Sequence, residues 1–133
     1  MNRMKILVVD DDQAICSLMV KIIKGLGCEA QTCANGKEAL EALTSNNFTL
    51  MILDLIMPNM GGVETLKEIR KRGININTVV LSGFISHDIR KQCKKFGAKR
   101  FLEKPIEISD IEGLLKGEKE SNMKINVLED IFD

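Results

Sequence analysis

The chain has 133 residues, 44% of them apolar and 29% charged, and Lys plus Arg equal Asp plus Glu at 19 each. That length fits one domain around a single core, and a formal net charge of zero argues against bulk attraction to nucleic acid or to an acidic membrane. No stretch approaches the roughly 20 apolar residues of a membrane span; the first apolar run, Ile6 to Val9, is too short for a secretory signal and ends in three acids, so the reading is cytoplasmic.

In chain order, Ile6 to Val9 reads as a buried strand. A helix follows, with Ala14, Ile15, Leu18, Met19, Ile22, Ile23 and Leu26 assigned to one face and Gly25 and Gly27 marking its end. Cys28 to Cys33 is a half-polar strand, as an edge strand would be, and Gly36 to Leu43 a short helix with Ala39, Leu40, Ala42 and Leu43 inward. Phe48 to Leu53 is a second unbroken apolar run; an irregular stretch from Asp54 to Gly62 contains Pro58 and two glycines. A helix over Val63 to Arg72 places Val63, Leu66 and Ile69 inward, and Thr78 to Leu81 is the fourth strand. Ser86 caps a helix carrying Ile89, Cys93 and Phe96 and closed by Gly97. Arg100 to Leu102 is the fifth strand, and a last helix spans about Ser109 to Lys116.

Unbroken apolar strands alternating with helices predict an α/β fold: a doubly wound, five-stranded parallel sheet with helices on both faces. The half-polar second strand at an edge gives the order 2-1-3-4-5, which is flavodoxin-like. The domain is assigned to residues 1–116. Residues 117–133 form a C-terminal tail, too short for a helix-turn-helix output domain, and read as an extra helix, a docking segment or disordered chain. The tail is compatible both with a stand-alone protein and with the first part of a longer one. The four cysteines, 16, 28, 33 and 93, contain no C-x-x-C pair, and His87 is not near a cysteine cluster. They read as small buried hydrophobes rather than zinc ligands or disulfides.

In such a sheet, ligands bind at the carboxyl ends of the strands. There the sequence delivers Asp10, Asp11 and Asp12 after the first strand, Asp54 after the third, Ser82 after the fourth and Lys104 after the fifth. Clustered carboxylates repel one another unless a cation is shared. An all-oxygen set selects a hard ion, Mg²⁺ above others, with Mn²⁺ expected to substitute. Asp54 can then attack phosphorus, while the cation, the Lys104 ammonium and the Ser82 hydroxyl cover the three phosphoryl oxygens. Taken singly, each residue has an ordinary reading: Asp12 as a helix cap, Ser82 as a turn residue, Lys104 as a surface charge. Four strand ends converging on one chemistry outweighs them.

At these residues the chain resembles the receiver domain of two-component response regulators, across residues 4–116. The matching segments are ILVVDDD (6–12), LDLIMPNMGG (53–62), VVLSG (79–83) and FLEKP (101–105), in the family's order and spacing. The resemblance implies that Asp10 and Asp11 are the acidic pair, with Asp11 touching the metal. Asp54 is then the phosphoacceptor, and the backbone carbonyl of Ile56 a further metal ligand. Ser82 takes the hydroxyl position, and the Lys104–Pro105 bond is expected to be cis. Phe101 matches an aromatic that rotates inward when the loop after the fourth strand closes on the phosphoryl group. Ile56 and Phe84 match two positions beside the line of water attack, where apolar side chains imply a slowly hydrolysed aspartyl phosphate.

The implied donor is a histidine kinase or histidine phosphotransfer protein. The implied output is a protein target docked on the fourth helix, fifth strand and fifth helix, where Arg90, Lys91, Lys94 and Lys95 make the helix basic. No direct contact with nucleic acid or membrane is expected of this segment. Beyond self-phosphorylation and slow self-dephosphorylation, no enzymatic turnover is expected. Two alternatives are weighed. A haloacid-dehalogenase-like phosphatase shares the sheet, Mg²⁺ and an aspartyl phosphate, and Asp10-x-Asp12 superficially fits its nucleophile and acid. Against it stand Gln13-Ala14 after Asp12, the lack of a further acid-bearing strand after Lys104, and the lack of a cap insertion. The other is a receiver-fold interaction module that is never phosphorylated, against which the complete acid, serine and lysine set argues.

Overall fold

The computed structural model describes residues 3–118. Five βα units follow one another: β1 (Lys5–Val9), α1 (Gln13–Gly25), β2 (Glu29–Cys33), α2 (Gly36–Ser45), β3 (Leu50–Asp54), α3 (Gly62–Lys71), β4 (Asn77–Ser82), α4 (His87–Lys95), β5 (Ala98–Glu103) and α5 (108–118). The strands form one parallel sheet in the order β2-β1-β3-β4-β5, the flavodoxin-like arrangement expected from the sequence.

The apolar runs of β1, β3 and β4 lack alternation because both faces of those strands are covered. Ile6, Val8, Leu50, Ile52, Val79 and Leu81 face one core, packed under Cys16, Met19 and Ile23 of α1 and Ile111, Leu114 and Leu115 of α5. Leu7, Val9, Met51, Leu53 and Val80 face the other, under Ala39 and Leu40 of α2, Leu66 and Ile69 of α3, and Cys93 of α4. β2 pairs on one side only and is partly exposed along most of its length. All four cysteines are buried, in line with their reading as small hydrophobes.

Sequence and structure part on α1. Ala14, Leu18 and Leu26, expected on the apolar face, are exposed. The packed arc is the narrower one through Cys16, Met19 and Ile23, and Leu18 stands two residues, about 200° of helical rotation, beyond Cys16. Leu26 caps the helix end, where Gly27 takes φ +84° and turns the chain toward β2. α5 continues past the expected end at Lys116, because Glu118 is buried and tied to Arg100 on β5 and to Asn77 on β4. The remainder of the assigned tail, 119–133, lies outside the described residues. Among the described residues no helix is long and apolar enough to cross a membrane.

Parallel pairing sends the carboxyl ends of β1, β3, β4 and β5 to one edge of the sheet. The register sets Val9 beside Leu53, Asp54 beside Leu81 and Ser82 beside Glu103. The residues that follow each strand are therefore brought together by the ladder itself.

Candidate functional site: an acidic cluster bridged by a lysine

Asp10 leaves β1 as a buried residue. Its amide donates to the Cys33 carbonyl at 3.0 Å, its Oδ1 accepts from the Asp12 amide at 2.9 Å, and its own carbonyl accepts from the Cys16 thiol at 3.3 Å. Asp54 ends β3, also buried, with the Ile56 amide 3.4 Å from its Oδ1. Asp11 is exposed beside them. One carboxylate oxygen from each of Asp10, Asp11 and Asp54 lies within 4.8 Å of the others.

Lys104 reaches this cluster from the end of β5. Its Nζ stands 3.2 Å from Asp10 Oδ2 and 3.4 Å from Asp54 Oδ1. Its amide donates to the Ser82 carbonyl at 2.9 Å, and the Lys104–Pro105 peptide bond is cis. Burial, then the Asp10 charge, push the Asp54 carboxyl above its ordinary pKa, and the opposing pull of Lys104 and the Ile56 amide does not cancel them. Burial works against the Lys104 charge, but contact with Asp10 and the charges of Asp54 and Asp10 outweigh it and hold the ammonium above its usual pKa.

One ammonium does not satisfy three carboxylates. Asp10 Oδ2 is buried and lacks an aligned hydrogen bond, despite its proximity to Lys104. A buried carboxylate oxygen with free lone pairs, set among two more acids, suits a small hard cation ligated by oxygen. The residues present therefore fit Mg²⁺.

The other expected residues fall as follows. Ser82 is buried at the site edge, but its hydroxyl donates to the Phe84 carbonyl at 3.0 Å, within its own loop, rather than toward the acids. Ile56 and Phe84 are 78% and 81% exposed, so neither contributes to the core. Asp12 is a helix cap, its carboxylate accepting from the amides of Ala14 and Ile15 at 2.9 and 3.3 Å. Phe101 is half-buried, with the Arg90 guanidinium 4.5 Å from its ring centroid, a cation–π contact. Sequence reasoning placed Arg90 only in a basic helix face; no local pattern signals its stacking on a residue eleven positions away. The Cys16 thiol on the Asp10 carbonyl was likewise missed, because periodicity marks Cys16 as core and says nothing about its hydrogen.

The family model for the response regulator receiver domain matches residues 6–116. The chain belongs to the response regulator receiver domain family. Among curated relatives, the transcriptional regulatory protein ZraR of Klebsiella oxytoca is 33% identical over 111 residues, covering 84% of this chain and 25% of that protein. This receiver thus spans about a quarter of the length of ZraR. Sporulation initiation phosphotransferase F of Bacillus subtilis is 31% identical over 112 residues, covering 84% of this chain and 90% of that protein. Among solved structures, the response regulator protein TrrA of Thermotoga maritima, in complex with Mg²⁺-BeF, superposes with a TM-score of 0.75 at 30% identity, over 86% of this chain and 98% of that one.

The raised Asp54 pKa has a consequence for stability. A carboxyl whose folded pKa lies above its unfolded value supports the fold when protonated, and that support is lost as pH rises through the folded pKa. Without a cation, the Asp54 carboxyl therefore costs the receiver stability as pH rises. In chelator, Asp54→Asn is expected to melt a few degrees above wild type at pH 7, with the gap closing as pH falls through the raised folded pKa and gone below the ordinary Asp value of 3.8. A lower melting temperature for the variant at pH 7 would contradict this.

Proposed function

We propose that this receiver takes a phosphoryl group onto Asp54 from the phosphohistidine of a histidine kinase or histidine phosphotransfer protein. The observation that carries the reading is the Lys104 ammonium set between Asp10 and Asp54, at 3.2 and 3.4 Å, on a three-carboxylate cluster. In the transfer, an Asp54 carboxylate oxygen attacks phosphorus and the phosphorus–nitrogen bond of the donor breaks. The electron pair returns to the imidazole. A Mg²⁺ bound by Asp11, Asp54 and the Ile56 carbonyl, with Asp10 behind, would supply charge neutralisation for the incoming phosphoryl oxygens. Lys104 covers another oxygen, and its position is fixed before the phosphoryl group arrives.

Phosphorylation adds about two negative charges at neutral pH. The Ser82 hydroxyl would exchange the Phe84 carbonyl for a phosphoryl oxygen, drawing the β4–α4 loop inward and leaving space for Phe101 to turn in. Because phenylalanine has no hydroxyl, that turn depends on packing and on the loss of the Arg90 contact. The altered surface is that of α4, β5 and α5, the proposed docking site for a downstream protein. ZraR and phosphotransferase F match along this whole receiver, which supports a place in two-component signalling or a phosphorelay.

Incubation with radiolabelled acetyl phosphate and Mg²⁺ tests the reading: one label per chain is expected, lost with chelator and in Asp54→Ala. Label retained in Asp54→Ala, or continuous hydrolysis of a small aryl phosphate as in a phosphatase, would overturn it.

The exposed neighbours set the lifetime. Neither Ile56 nor Phe84 carries a group that can orient a water molecule for attack on the acyl phosphate. The label is expected to outlast the minutes scale in excess Mg²⁺ without a phosphatase. Ile56→Asn combined with Phe84→Glu should shorten its half-life at least about tenfold. Loss within minutes from the unmodified protein would contradict this.

A further inference from the structure

The β3–α3 loop, residues 55–61, carries Ile56, and apart from the Ile56 amide on Asp54 Oδ1 it is fastened away from the carboxylates. The Gly62 amide closes the loop on the Leu55 carbonyl at 3.0 Å. Thr65, fully buried in α3, holds the Gly61 carbonyl twice, from Oγ1 at 2.7 Å and from its amide at 3.0 Å. From the neighbouring unit, the amide of Gly36, the first residue of α2, donates to the Met60 carbonyl at 3.3 Å.

Gly36 is not required by backbone conformation, since its φ lies outside the left-handed range. What it supplies is space. A Cβ at this position would sit 2.1 Å from Thr65 Oγ1, and 2.7 and 2.9 Å from Met60 Cγ and Sδ. Met60 can swing its thioether aside. The Thr65 hydroxyl has no such freedom, because it is buried and already bonded to Gly61. A side chain at residue 36 therefore either unseats that hydroxyl or drives α2 off the loop and breaks the bond to Met60. Both failures fall on the segment between Asp54 and α3.

We infer that Gly36 is a positioning residue for the cation site: its missing side chain leaves the room in which Thr65 and Met60 hold the loop that presents the Ile56 carbonyl beside Asp54. The inference rests on the proposed reading of that site. It extends the site to α2, which contributes no ligand.

Mn²⁺ serves as the probe, with free ion measured by electron paramagnetic resonance at a temperature where every variant is folded. Gly36→Ala is expected to bind Mn²⁺ about tenfold more weakly, the size of effect typical of residues that orient ligands from behind. Gly113→Ala, whose added Cβ meets nothing within 4 Å, is expected to bind as wild type does. Thr65→Ala removes both the obstructing oxygen and the tether, so it weakens binding on its own, and adding Gly36→Ala to it costs less than about twofold more. A merely destabilising glycine change would shift melting temperature without moving Mn²⁺ affinity. Affinity unchanged in Gly36→Ala, or fully additive losses in the double variant, would overturn the inference. If Gly36→Ala does not fold, Thr65→Val takes its place: several-fold weaker Mn²⁺ binding supports the inference and unchanged binding overturns it. If wild type binds no Mn²⁺ that Asp11→Asn abolishes, the cation site itself is refuted and the inference falls with it, a result distinct from failure of Gly36 alone.

Discussion

Mutual repulsion among Asp10, Asp11 and Asp54 is the constraint on which the rest of this molecule turns. Strand pairing forces two buried carboxylates and a third exposed one to within 4.8 Å, and against their charge stand the Lys104 ammonium and two backbone amides, those of Asp12 and Ile56. The balance is left incomplete. Asp10 Oδ2 is buried without an aligned hydrogen bond among the described residues, and Asp54 is held above its ordinary pKa. A fold selected only for stability would have little reason to bury acids in this way. The proposed uptake of a dication and a dianionic phosphoryl group gains from having attracting and neutralising groups already fixed.

The fold exists to impose that arrangement. Two cores lie on opposite faces of the sheet, one under α1 and α5 and the other under α2, α3 and α4. They make the strand ends rigid, so the loops after β1, β3, β4 and β5 are set by the ladder rather than by their own sequences. The loops still require local fastening. Asp12 caps α1, Thr65 and Gly62 close the loop after β3, and the Ser82 carbonyl takes the amide of Lys104. The β4–α4 loop is tied more lightly, through the Ser82 hydroxyl on Phe84, and that single bond is the one a phosphoryl oxygen would compete for.

Much of this was legible in the chain. The runs Ile6 to Val9 and Phe48 to Leu53 read as strands buried on both faces, and the half-polar Cys28 to Cys33 as an edge; from these the strand order followed. The acids, serine and lysine were legible as candidates for one site because they stand at the ends of four different strands. What escaped the sequence has a common cause: it depends on where a side chain turns once neighbours from distant segments arrive. Periodicity assigned Leu18 to the packed face of α1, but the sheet covers a narrower arc. Gly36 read as a helix start, and its closeness to Thr65, twenty-nine residues later, appears only when α2 and α3 pack. The Arg90 contact with Phe101 and the inward-looping Ser82 hydroxyl are of the same kind.

As proposed, these acids form one cation site rather than three separate strand-end residues. Anomalous diffraction from crystals equilibrated with Mn²⁺ tests it most directly. A single strong peak at coordination distance from both Asp11 and Asp54 carboxylates, with Lys104 remaining beside Asp54, is the predicted result. Mn²⁺ bound elsewhere on the chain, with Asp11 and Asp54 both unliganded at saturating ion, would contradict the account.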